Sequence, residues 1–470
     1  MARLSTTTAS TPSSGSPPAE APEGAWARPP VRASWEIAAV AAAVLVGLWL
    51  RMNGYAQVPS ITQNADELQF AWLGLSLFEH GVPLTWAYLG PYSNPDVIHL
   101  HGTAYPLVHP WFDHPPLWGL ITGGAALLVG QHTFADVDMS AVRLPAIFLS
   151  VSSIALVYEL GRRILGVGPG VVAAVLVAIA TPLVLMSRVA EPEALIAPAF
   201  LLSLVLTHRQ LTGEGGRWGR AALAVICVAA PLAKLTGLVI PGTVGVVFVM
   251  QKRYRPAALC AAAGALSLAI FAAYGAAFGW HTFVAATSAQ DAHRSGVMSG
   301  LEFIASYSGN NHHLFDGWWV LGWIGIGAIA VSRSDREGLL LAWPAIAYLV
   351  VITVLANQAW VGAYGWYRVG AYPLVYLGAA ALAWRLVSNP SPAVAFLVLA
   401  LGGATAAEFW MGLPWRAPAK IEFLVFGAAL LPAVLAWRRG TRSVGAALLG
   451  LMALGSLLQS LQLNQLADLF

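Results

Sequence analysis

The chain has 470 residues, of which 58% are hydrophobic and only 10% are charged. A soluble globular domain carries about 25% charged residues, so this composition excludes one as the main body of the protein. A mean hydropathy of +0.67, spread over many long apolar runs, predicts an all-α polytopic membrane protein. The formal net charge of +3 forms no basic face, so no nucleic-acid partner is expected.

The N-terminal part of the chain divides into a polar tail, an apolar run and a long outer loop. Residues 1–34 are rich in Ser, Thr, Pro and Ala and are predicted to be a disordered cytoplasmic tail. The apolar run over residues 37–50 follows two arginines and lacks a convincing cleavage site, which favours an uncleaved signal anchor. Residues 53–115 then form a polar and aromatic outer loop, in which we expect interfacial helices.

Basic clusters orient the later apolar runs, because Lys and Arg concentrate in cytoplasmic loops. All of these clusters can be inside only if the run at 116–130 is re-entrant or interfacial. Its length agrees, since its roughly 15 residues fall short of the about 20 needed to span the membrane. The run at 221–250 has basic residues at both ends and must fold back as two short helices. This topology predicts about 13 transmembrane helices and gathers most histidines on the outer face.

Two adjacent carboxylates, Asp66 and Glu67, precede a predicted amphipathic helix from Leu68 to Phe78 in the first outer loop. They could simply complement the N-terminal dipole of that helix. Alternatively, one of them acts as a general base at the membrane surface, close to a lipid-borne substrate. The pair alone does not decide between these two interpretations.

Charged residues recur at three further points on the predicted outer side. Asp113 and His114 precede two prolines at a helix start, Arg143 lies at the outer end of a span, and Arg188 lies in the second outer loop with Glu193. Each arginine could merely extend from a helix end toward water. A leaving lipid phosphate, however, needs fixed cations, and the planar guanidinium can bind phosphate oxygens in a bidentate manner.

Taken in order, these motifs resemble the GT-C superfamily of integral-membrane glycosyltransferases, on the branch of the protein O-mannosyltransferases and lipid A aminoarabinose transferases. The resemblance covers residues 66–373 and rests on six motifs in the family's order. They are Asp66-Glu67, His114-Pro115-Pro116-Leu117, Arg143-Leu144-Pro145 with YELGRRILG at 158–166, Ser187-Arg188 through Glu193-Ala194-Leu195, Lys234-Leu235-Thr236-Gly237, and Tyr367-Arg368 before Tyr372-Pro373.

The resemblance implies a GT-C catalytic module over residues 35–373, which includes the outer loops 53–115 and 277–317. Transmembrane helices over residues 374–470 follow it. The implied activity moves a monosaccharide from a polyprenyl-phosphate donor to an acceptor hydroxyl on the extracytoplasmic face, with inversion. Such an enzyme is a hexosyl- or pentosyltransferase of the plasma membrane, and its acceptor is a protein, a lipid or an envelope polysaccharide.

The resemblance also assigns the site residues. Asp66 and Glu67 are the catalytic pair, with Asp66 as the favoured base, and Glu193 stands at the second acidic position, where relatives more often have Asp. Asp113 and Arg143 are supporting residues. The residues expected to bind the donor phosphate are His114, Arg188, Arg294, Tyr367 and Arg368.

Two questions stay open from the sequence. A divalent metal ion is one option for the site, and the spacing His99-x-His101 could hold a metal, but no further ligand follows at a diagnostic distance. A polytopic transporter or flippase is the alternative function. It is less favoured because the ionisable residues gather in the outer loops and not at the bilayer midplane, and because no internal repeat is visible.

Overall fold

The computed structural model describes residues 33–61, 63–88, 90–92, 96–292, 316–332, 338–355, 365–389, 391–411 and 442–465. Within these ranges the chain is mostly helical, and the helices pack around one large hydrophobic core and three smaller clusters. Residues 412–441 and nearly all of the tail over residues 1–34 lie outside the described residues.

Most of the helices lie in apolar stretches of the chain. They are α1 (Ser34–Met52), α2 (Asp66–His80), α3 (Leu117–Leu128), α4 (Met139–Val142), α5 (Leu144–Ile164), α6 (Val167–Ile179), α7 (Thr181–Met186), α8 (Glu193–Leu211), α9 (Arg217–Ala233), α10 (Val239–Met250), α11 (Tyr254–Phe278), α12 (Trp280–Ala292), α13 (Gly317–Val331), α14 (Trp343–Leu355), α15 (Tyr372–Ser388), α16 (Pro392–Met411) and α17 (Arg442–Leu461). Short 3₁₀ turns cover Leu235–Leu238, Gly365–Arg368 and Leu463–Gln465, and a π-helical turn covers Gly338–Ala342.

The first outer loop contains α2 and a small antiparallel sheet. The sheet has the order β1-β3-β2, with β1 at Thr85–Trp86, β2 at Asp96–Leu100 and β3 at Thr103–Val108. His101 and Gly102 join β2 to β3 with φ angles of 52° and 77°, the left-handed pair typical of a two-residue hairpin. The helix predicted from Leu68 is present, whereas the sheet was not predicted.

Helix α3 packs closely against α2. Its 12 residues make it about 18 Å long, too short for a hydrocarbon core about 30 Å thick. The two backbones touch, since a Cβ atom placed on Gly74 of α2 would lie 1.8 Å from the carbonyl oxygen of Gly119 of α3. Only glycine permits this approach. The short helix agrees with the prediction that the run at 116–130 does not span the membrane.

The chain reverses direction at Lys234, as predicted for the run at 221–250. The side chain of Cys227 in α9 hydrogen-bonds that of Cys260 in α11, and farther along the two helices Leu232 and Phe271 share one cluster. Therefore α9 runs parallel to α11. In contrast, α10 ends three residues before α11 begins and packs along it in the opposite direction. The reversal brings Lys234 to the end of α9 that the predicted topology assigns to the outer face.

The C-terminal helix α17 packs against the end of α6 and the start of α7. Ser460 Oγ donates to the carbonyl of Ile179 at 2.6 Å and lies 2.9 Å from Thr181 Oγ1. Beyond the helix, Asn464 Nδ2 donates to the carbonyl of Asn53 at 3.0 Å. The C-terminal region, in which the sequence showed no motif, thus contacts the loops that carry the site.

Five helical segments among the described residues are long and apolar enough to cross a membrane. They are Ser34–Met52, Met139–Ile164, Glu193–Leu211, Tyr254–Phe278 and Ser443–Gln465. Further apolar helices of 10–17 residues, such as Val167–Ile179, pack between them. The chain is therefore a multi-pass membrane protein, and the number of about 13 spans stays a prediction.

Candidate active site

Glu67 and Arg143 form a buried ion pair at the start of α2. Arg143 Nε lies 2.8 Å from Glu67 Oε1 and Nη2 lies 2.6 Å from Oε2, and neither side chain is exposed. The amide of Ala190 donates to Glu67 Oε1 at 2.7 Å, while Arg143 Nη1 donates to the carbonyls of Tyr55 and Pro59. Both carboxylate oxygens of Glu67 are therefore occupied. The pair connects α2, α5 and the loop before α8.

Asp66, one residue earlier, is less enclosed. Its side chain is half-buried, whereas that of Glu67 is fully buried. Burial raises the pKa of Asp66, the positive charge of Lys234 lowers it, and the negative charges of Glu67 and Glu193 raise it further. The net effect is a pKa raised above the ordinary value of an aspartate. Asp66 is thus more basic than an ordinary aspartate and lies within electrostatic reach of Glu193 and Lys234.

Glu193 and Lys234 form the second buried ion pair. Glu193 begins α8, Lys234 lies at the reversal after α9, and Lys234 Nζ donates to Glu193 Oε1 at 2.6 Å. Glu193 is fully buried, yet its other oxygen, Oε2, has no hydrogen-bond partner in the described part of the chain. The Lys234 ammonium also lies 4.3 Å from the ring centroid of Tyr367, a cation–π contact. One carboxylate oxygen of this pair remains available.

A third acidic residue, Glu191, lies beside them. Asn64 Nδ2 donates to Glu191 Oε1 at 3.2 Å, and only 3% of Glu191 is exposed. Burial raises the pKa of Glu191 well above its usual range, the charge of Asp66 raises it further, and that of Lys234 lowers it. Glu191 therefore keeps its proton to a higher pH than an ordinary glutamate. We call Asp66, Glu191, Glu193 and Lys234 the acidic cluster.

His114 lies against α2 one turn beyond Asp66. Its ring stacks on Phe70 with a centroid separation of 5.6 Å and an interplanar angle of 26°. Phe70 and Asp66 are four residues apart and share a face of the helix. The neighbouring Asp113 accepts a hydrogen bond of 2.8 Å from the hydroxyl of Tyr92. The structure thus brings the predicted His114 to the helix face that carries Asp66.

Tyr367 and Arg368 lie together on the 3₁₀ turn Gly365–Arg368 before α15. The carbonyl of Tyr367 accepts a hydrogen bond of 3.0 Å from Tyr348, and its ring covers the Lys234 ammonium. Only 2% of Arg368 is exposed, and its guanidinium lies 5.4 Å from the ring centroid of Trp319. These adjacent residues therefore join the acidic cluster to a buried cation.

Arg188 contacts α1 and the C-terminal segment instead of the acidic cluster. Its Nη1 donates to Asn464 Oδ1 and its Nη2 to the carbonyl of Leu50, both at 2.6 Å, whereas Nε has no partner among the described residues. Burial lowers the pKa of Arg188 to about 10, and the charge of Arg143 contributes to this shift. Arg188 thus connects α1 to the C-terminal segment through most of its donors.

Other predicted groups stay apart or are not described. Arg294 lies outside the described residues, as does His293 of the same outer loop. His99 and His101 are exposed on the β2–β3 hairpin. Within the described ranges, no group of three or more His, Cys, Asp or Glu side chains could hold a metal ion. The cation that contacts Glu193 in this structure is the Lys234 ammonium.

Lys234 and Glu191 were not chosen as site residues from the sequence, although both lie in segments that carry the resemblance. Lys234 is the only charged residue in the apolar run at 221–250. An isolated charge inside an apolar run is a signal of function and could have identified it. Glu191 and Glu193 flank the same proline, so the sequence does not distinguish their roles. Their contacts in the fold do, since Glu191 accepts from Asn64 and Glu193 from Lys234.

The fold and the acidic cluster define a class, a helical membrane protein with ionisable groups buried at one end of its helices. Comparison with families of known sequences gives a match over residues 113–276 to the family described as dolichyl-phosphate-mannose-protein mannosyltransferase. The matched segment includes Arg143, Glu193 and Lys234. Comparison with curated proteins gives no significant match.

Solved structures share this architecture. The crystal structure of ArnT from Cupriavidus metallidurans bound to undecaprenyl phosphate has a TM-score of 0.56 and 17% sequence identity, and the alignment covers 92% of this chain and 78% of ArnT. The apo ArnT structure has a TM-score of 0.54 and 16% identity, with 91% and 77% coverage. The chain therefore has the fold of the GT-C membrane glycosyltransferases, and the resemblance drawn from the sequence motifs is confirmed.

Proposed function

We propose that the protein is a glycosyltransferase that moves a monosaccharide from a polyprenyl-phosphate donor to an acceptor hydroxyl at the extracytoplasmic face, with inversion. The observation that carries the proposal is the half-buried Asp66, whose pKa is raised, beside the Lys234–Glu193 pair and the Tyr367–Arg368 turn. A base and fixed cations stand side by side here, as glycosyl transfer from a phosphate requires.

Asp66 is the proposed general base. As the acceptor oxygen attacks the anomeric carbon, its proton passes to the Asp66 carboxylate. The bond between the anomeric carbon and the phosphate oxygen breaks, and its electron pair leaves with the lipid phosphate. Because attack and departure occur on opposite faces of the sugar, the anomeric configuration inverts. The raised pKa of Asp66 increases its affinity for the proton.

Glu67, which the sequence grouped with Asp66 as catalytic, is proposed to hold Asp66 in place. Its two oxygens accept three hydrogen bonds, from Arg143 and from the Ala190 amide, so taking a proton from the acceptor would weaken a buried ion pair. Arg143 keeps its supporting role, since it ties the start of α2 to α5. This division leaves one reacting carboxylate and one anchoring carboxylate.

The donor phosphate is proposed to bind between Lys234, Arg368 and His114, with the Tyr367 hydroxyl as a further donor. Lys234 and Arg368 are linked through the Tyr367–Arg368 turn, and His114 lies on the Asp66 face of α2. Arg188 is a weaker candidate, because two of its nitrogens already donate to Asn464 and Leu50. Arg294 remains a candidate from the sequence alone.

The comparisons suggest which ligands to test first. The similar ArnT structure holds undecaprenyl phosphate, which supports a polyprenyl phosphate as the lipid carrier. The matching family is described by transfer of mannose from dolichyl phosphate to protein, which makes mannose the first sugar and a polypeptide the first acceptor to offer. Glu193 is proposed to orient Lys234 toward the donor, and no step is assigned to a metal ion.

The test uses purified protein in nanodiscs with radiolabelled polyprenyl-phosphate sugars, offered one at a time, and a membrane extract as acceptor. Asp66→Asn should lower transfer by at least about 100-fold, the usual contribution of a positioned general base. Asp96→Asn is the matched control, because Asp96 is an exposed carboxylate in the same outer loop. Full activity of Asp66→Asn would contradict the mechanism. Transport of labelled lipid across sealed vesicles without transfer would instead favour a flippase.

A further inference from the structure

A group of exposed cations lies at the end of the molecule opposite the acidic cluster. Three of them flank the connection from α8 to α9, and three lie where α10 turns into α11. We call these exposed residues the basic patch, which consists of Arg209, Arg217, Arg220, Lys252, Arg253 and Arg255. The formal net charge of the whole chain, only +3, does not reveal this concentration of positive charge.

Packing between α9 and α11 brings the two halves of the patch together. The helices run parallel, with the side chain of Cys227 hydrogen-bonded to that of Cys260. Arg220 and Arg253 each precede these cysteines by seven residues, about two helical turns, and therefore lie at the same level. Helix α9 has 17 residues and is about 25 Å long, so the patch lies about that far from Lys234 at its other end.

In the described part of the chain, no carboxylate forms an ion pair with a cation of the patch. Two arginines near the patch are paired, since Arg162 Nε lies 3.2 Å from Glu36 Oε2 and Arg163 Nη1 lies 3.1 Å from Glu214 Oε2. Glu214 stands in the connection between α8 and α9, yet it pairs with Arg163. The positive charges of the patch therefore lack a counter-charge from these residues, and an external anion would stabilise them.

Exposed aromatic side chains and two apolar helices indicate that the patch lies at the surface of the bilayer. Trp218 is 76% exposed and Tyr254 is 65% exposed, and each is adjacent in sequence to an arginine of the patch. Trp and Tyr concentrate at the boundary between membrane and water. Arg209 lies near the end of α8 and Arg255 near the start of α11, and both helices are long and apolar enough to cross a membrane. The patch is therefore at the level of lipid headgroups.

We propose that the basic patch binds the phosphate groups of anionic phospholipids in the leaflet opposite the acidic cluster. Clusters of roughly four to eight Lys and Arg next to a membrane helix attract anionic lipids. All but one of the patch cations are arginines, whose planar guanidinium can bind two phosphate oxygens at once. The inference does not depend on the proposed function, because the patch and the acidic cluster share no residue.

The orientation of the helices does not by itself account for the patch. Lys and Arg act as orientation signals wherever they lie in the cytoplasmic loops, so that role does not require them to be neighbours. Here two connections converge, and hydrogen bonds fix both backbones. The Gly215 amide donates to the Arg209 carbonyl, and the Arg253 amide donates to the Phe248 carbonyl, both at 2.8 Å. Ordered turns reduce the conformational entropy that is lost when a headgroup binds.

The experiment measures lipid binding to the purified full chain in detergent, by native mass spectrometry. Phosphatidylglycerol and phosphatidylcholine with identical acyl chains are offered separately, so that only the headgroup differs. In 0.1 M ammonium acetate the wild type should bind phosphatidylglycerol about tenfold more tightly, which corresponds to 1.4 kcal/mol. In 1 M ammonium acetate this preference should disappear, because the Debye length falls from about 10 Å to about 3 Å.

Charge-removing and charge-keeping variants test the residues themselves. The triple variant Arg217→Gln, Arg220→Gln and Arg253→Gln should lose most of the preference for phosphatidylglycerol and bind phosphatidylcholine as the wild type does. Lys at the same three positions keeps the charges and should retain more of the preference than Gln. Arg385→Gln is the matched control, since Arg385 is an exposed arginine in the last turn of α15, outside the patch. Because all of these residues are exposed, every variant should unfold at the temperature of the wild type.

Several results would overturn the inference. One is equal binding of the two lipids by the wild type, and another is an undiminished preference in the Gln triple variant. A preference that persists in 1 M salt would show that contacts other than charge carry the binding. A loss in Arg385→Gln as large as that in the triple variant would show that the patch is not a distinct site. Binding of an oligonucleotide or an acidic peptide in the same assay, without a preference for phosphatidylglycerol, would assign the patch to a soluble partner.

Discussion

Two buried ion pairs near the starts of α2 and α8, Glu67–Arg143 and Glu193–Lys234, differ in how completely their groups are hydrogen-bonded. Glu67 accepts three hydrogen bonds through two oxygens, and Arg143 additionally donates to two backbone carbonyls. Glu193 uses one oxygen, and the Lys234 ammonium rests on an aromatic ring. We call the first pair saturated, because both carboxylate oxygens of Glu67 accept hydrogen bonds, and the second pair unsaturated, because Glu193 Oε2 has no partner among the described residues.

The difference shows why adjacent carboxylates can have different functions. Asp66 and Glu67 follow each other at the start of α2, but they point to different surroundings. Glu67 lies in the saturated pair, and Asp66 lies near the unsaturated one, where burial and then the neighbouring charges shift its pKa. We infer that the first pair builds the site and the second takes part in the reaction.

The largest effect is expected from breaking the saturated pair. Arg143→Met leaves the Glu67 carboxylate buried without its cation, which should cost about 3–5 kcal/mol of unfolding free energy. Thermal unfolding in detergent measures the loss, and transfer activity should fall with it. The double variant Glu67→Leu with Arg143→Leu should regain much of the stability, because an apolar pair replaces buried charges. A double variant no more stable than Arg143→Met would contradict this account of the pair.

A smaller effect is expected from the unsaturated pair. Lys234→Gln removes the positive charge that lowers the pKa of Asp66, so that pKa should rise. The base works only when it is ionised. Therefore the pH below which kcat falls, the acid limb of the pH profile, should move to a higher value. Rates measured from pH 4 to pH 9 give the limb, and Lys234→Arg, which keeps the charge, should leave it close to that of the wild type. An unmoved limb in Lys234→Gln would show that Asp66 is not the group that titrates.

The smallest effect is expected at the ring beneath Lys234. Tyr367→Leu removes a cation–π contact worth about 0.5–2 kcal/mol, so activity should fall by roughly 2- to 30-fold. Tyr367→Phe keeps the ring and removes the hydroxyl that the sequence suggested as a phosphate ligand. Donor KM and kcat of both variants distinguish the two roles. If Tyr367→Phe is as impaired as Tyr367→Leu, the hydroxyl and not the ring contributes to the site.

Much of the fold could be predicted, since apolar runs and basic clusters are local properties of a sequence. The short helix at 116–130 and the reversal within 221–250 followed from length and charge, and both are present as α3 and as the break at Lys234. The sheet of the first outer loop was missed. Its strands are two to six residues long, and pairing depends on partners distant in the chain.

The sequence by itself determined that this is a multi-pass helical membrane protein, because composition and run length are readable residue by residue. It predicted from the positions of the charges that the titratable chemistry lies on one side. It also pointed to Asp66 and Glu193. Only the tertiary structure decided which carboxylate is saturated, that Lys234 joins Glu193 over 41 positions of chain, and that Arg188 turns away toward Asn464. Burial and hydrogen-bond partners set the chemistry of a side chain, and both depend on contacts between segments far apart in sequence.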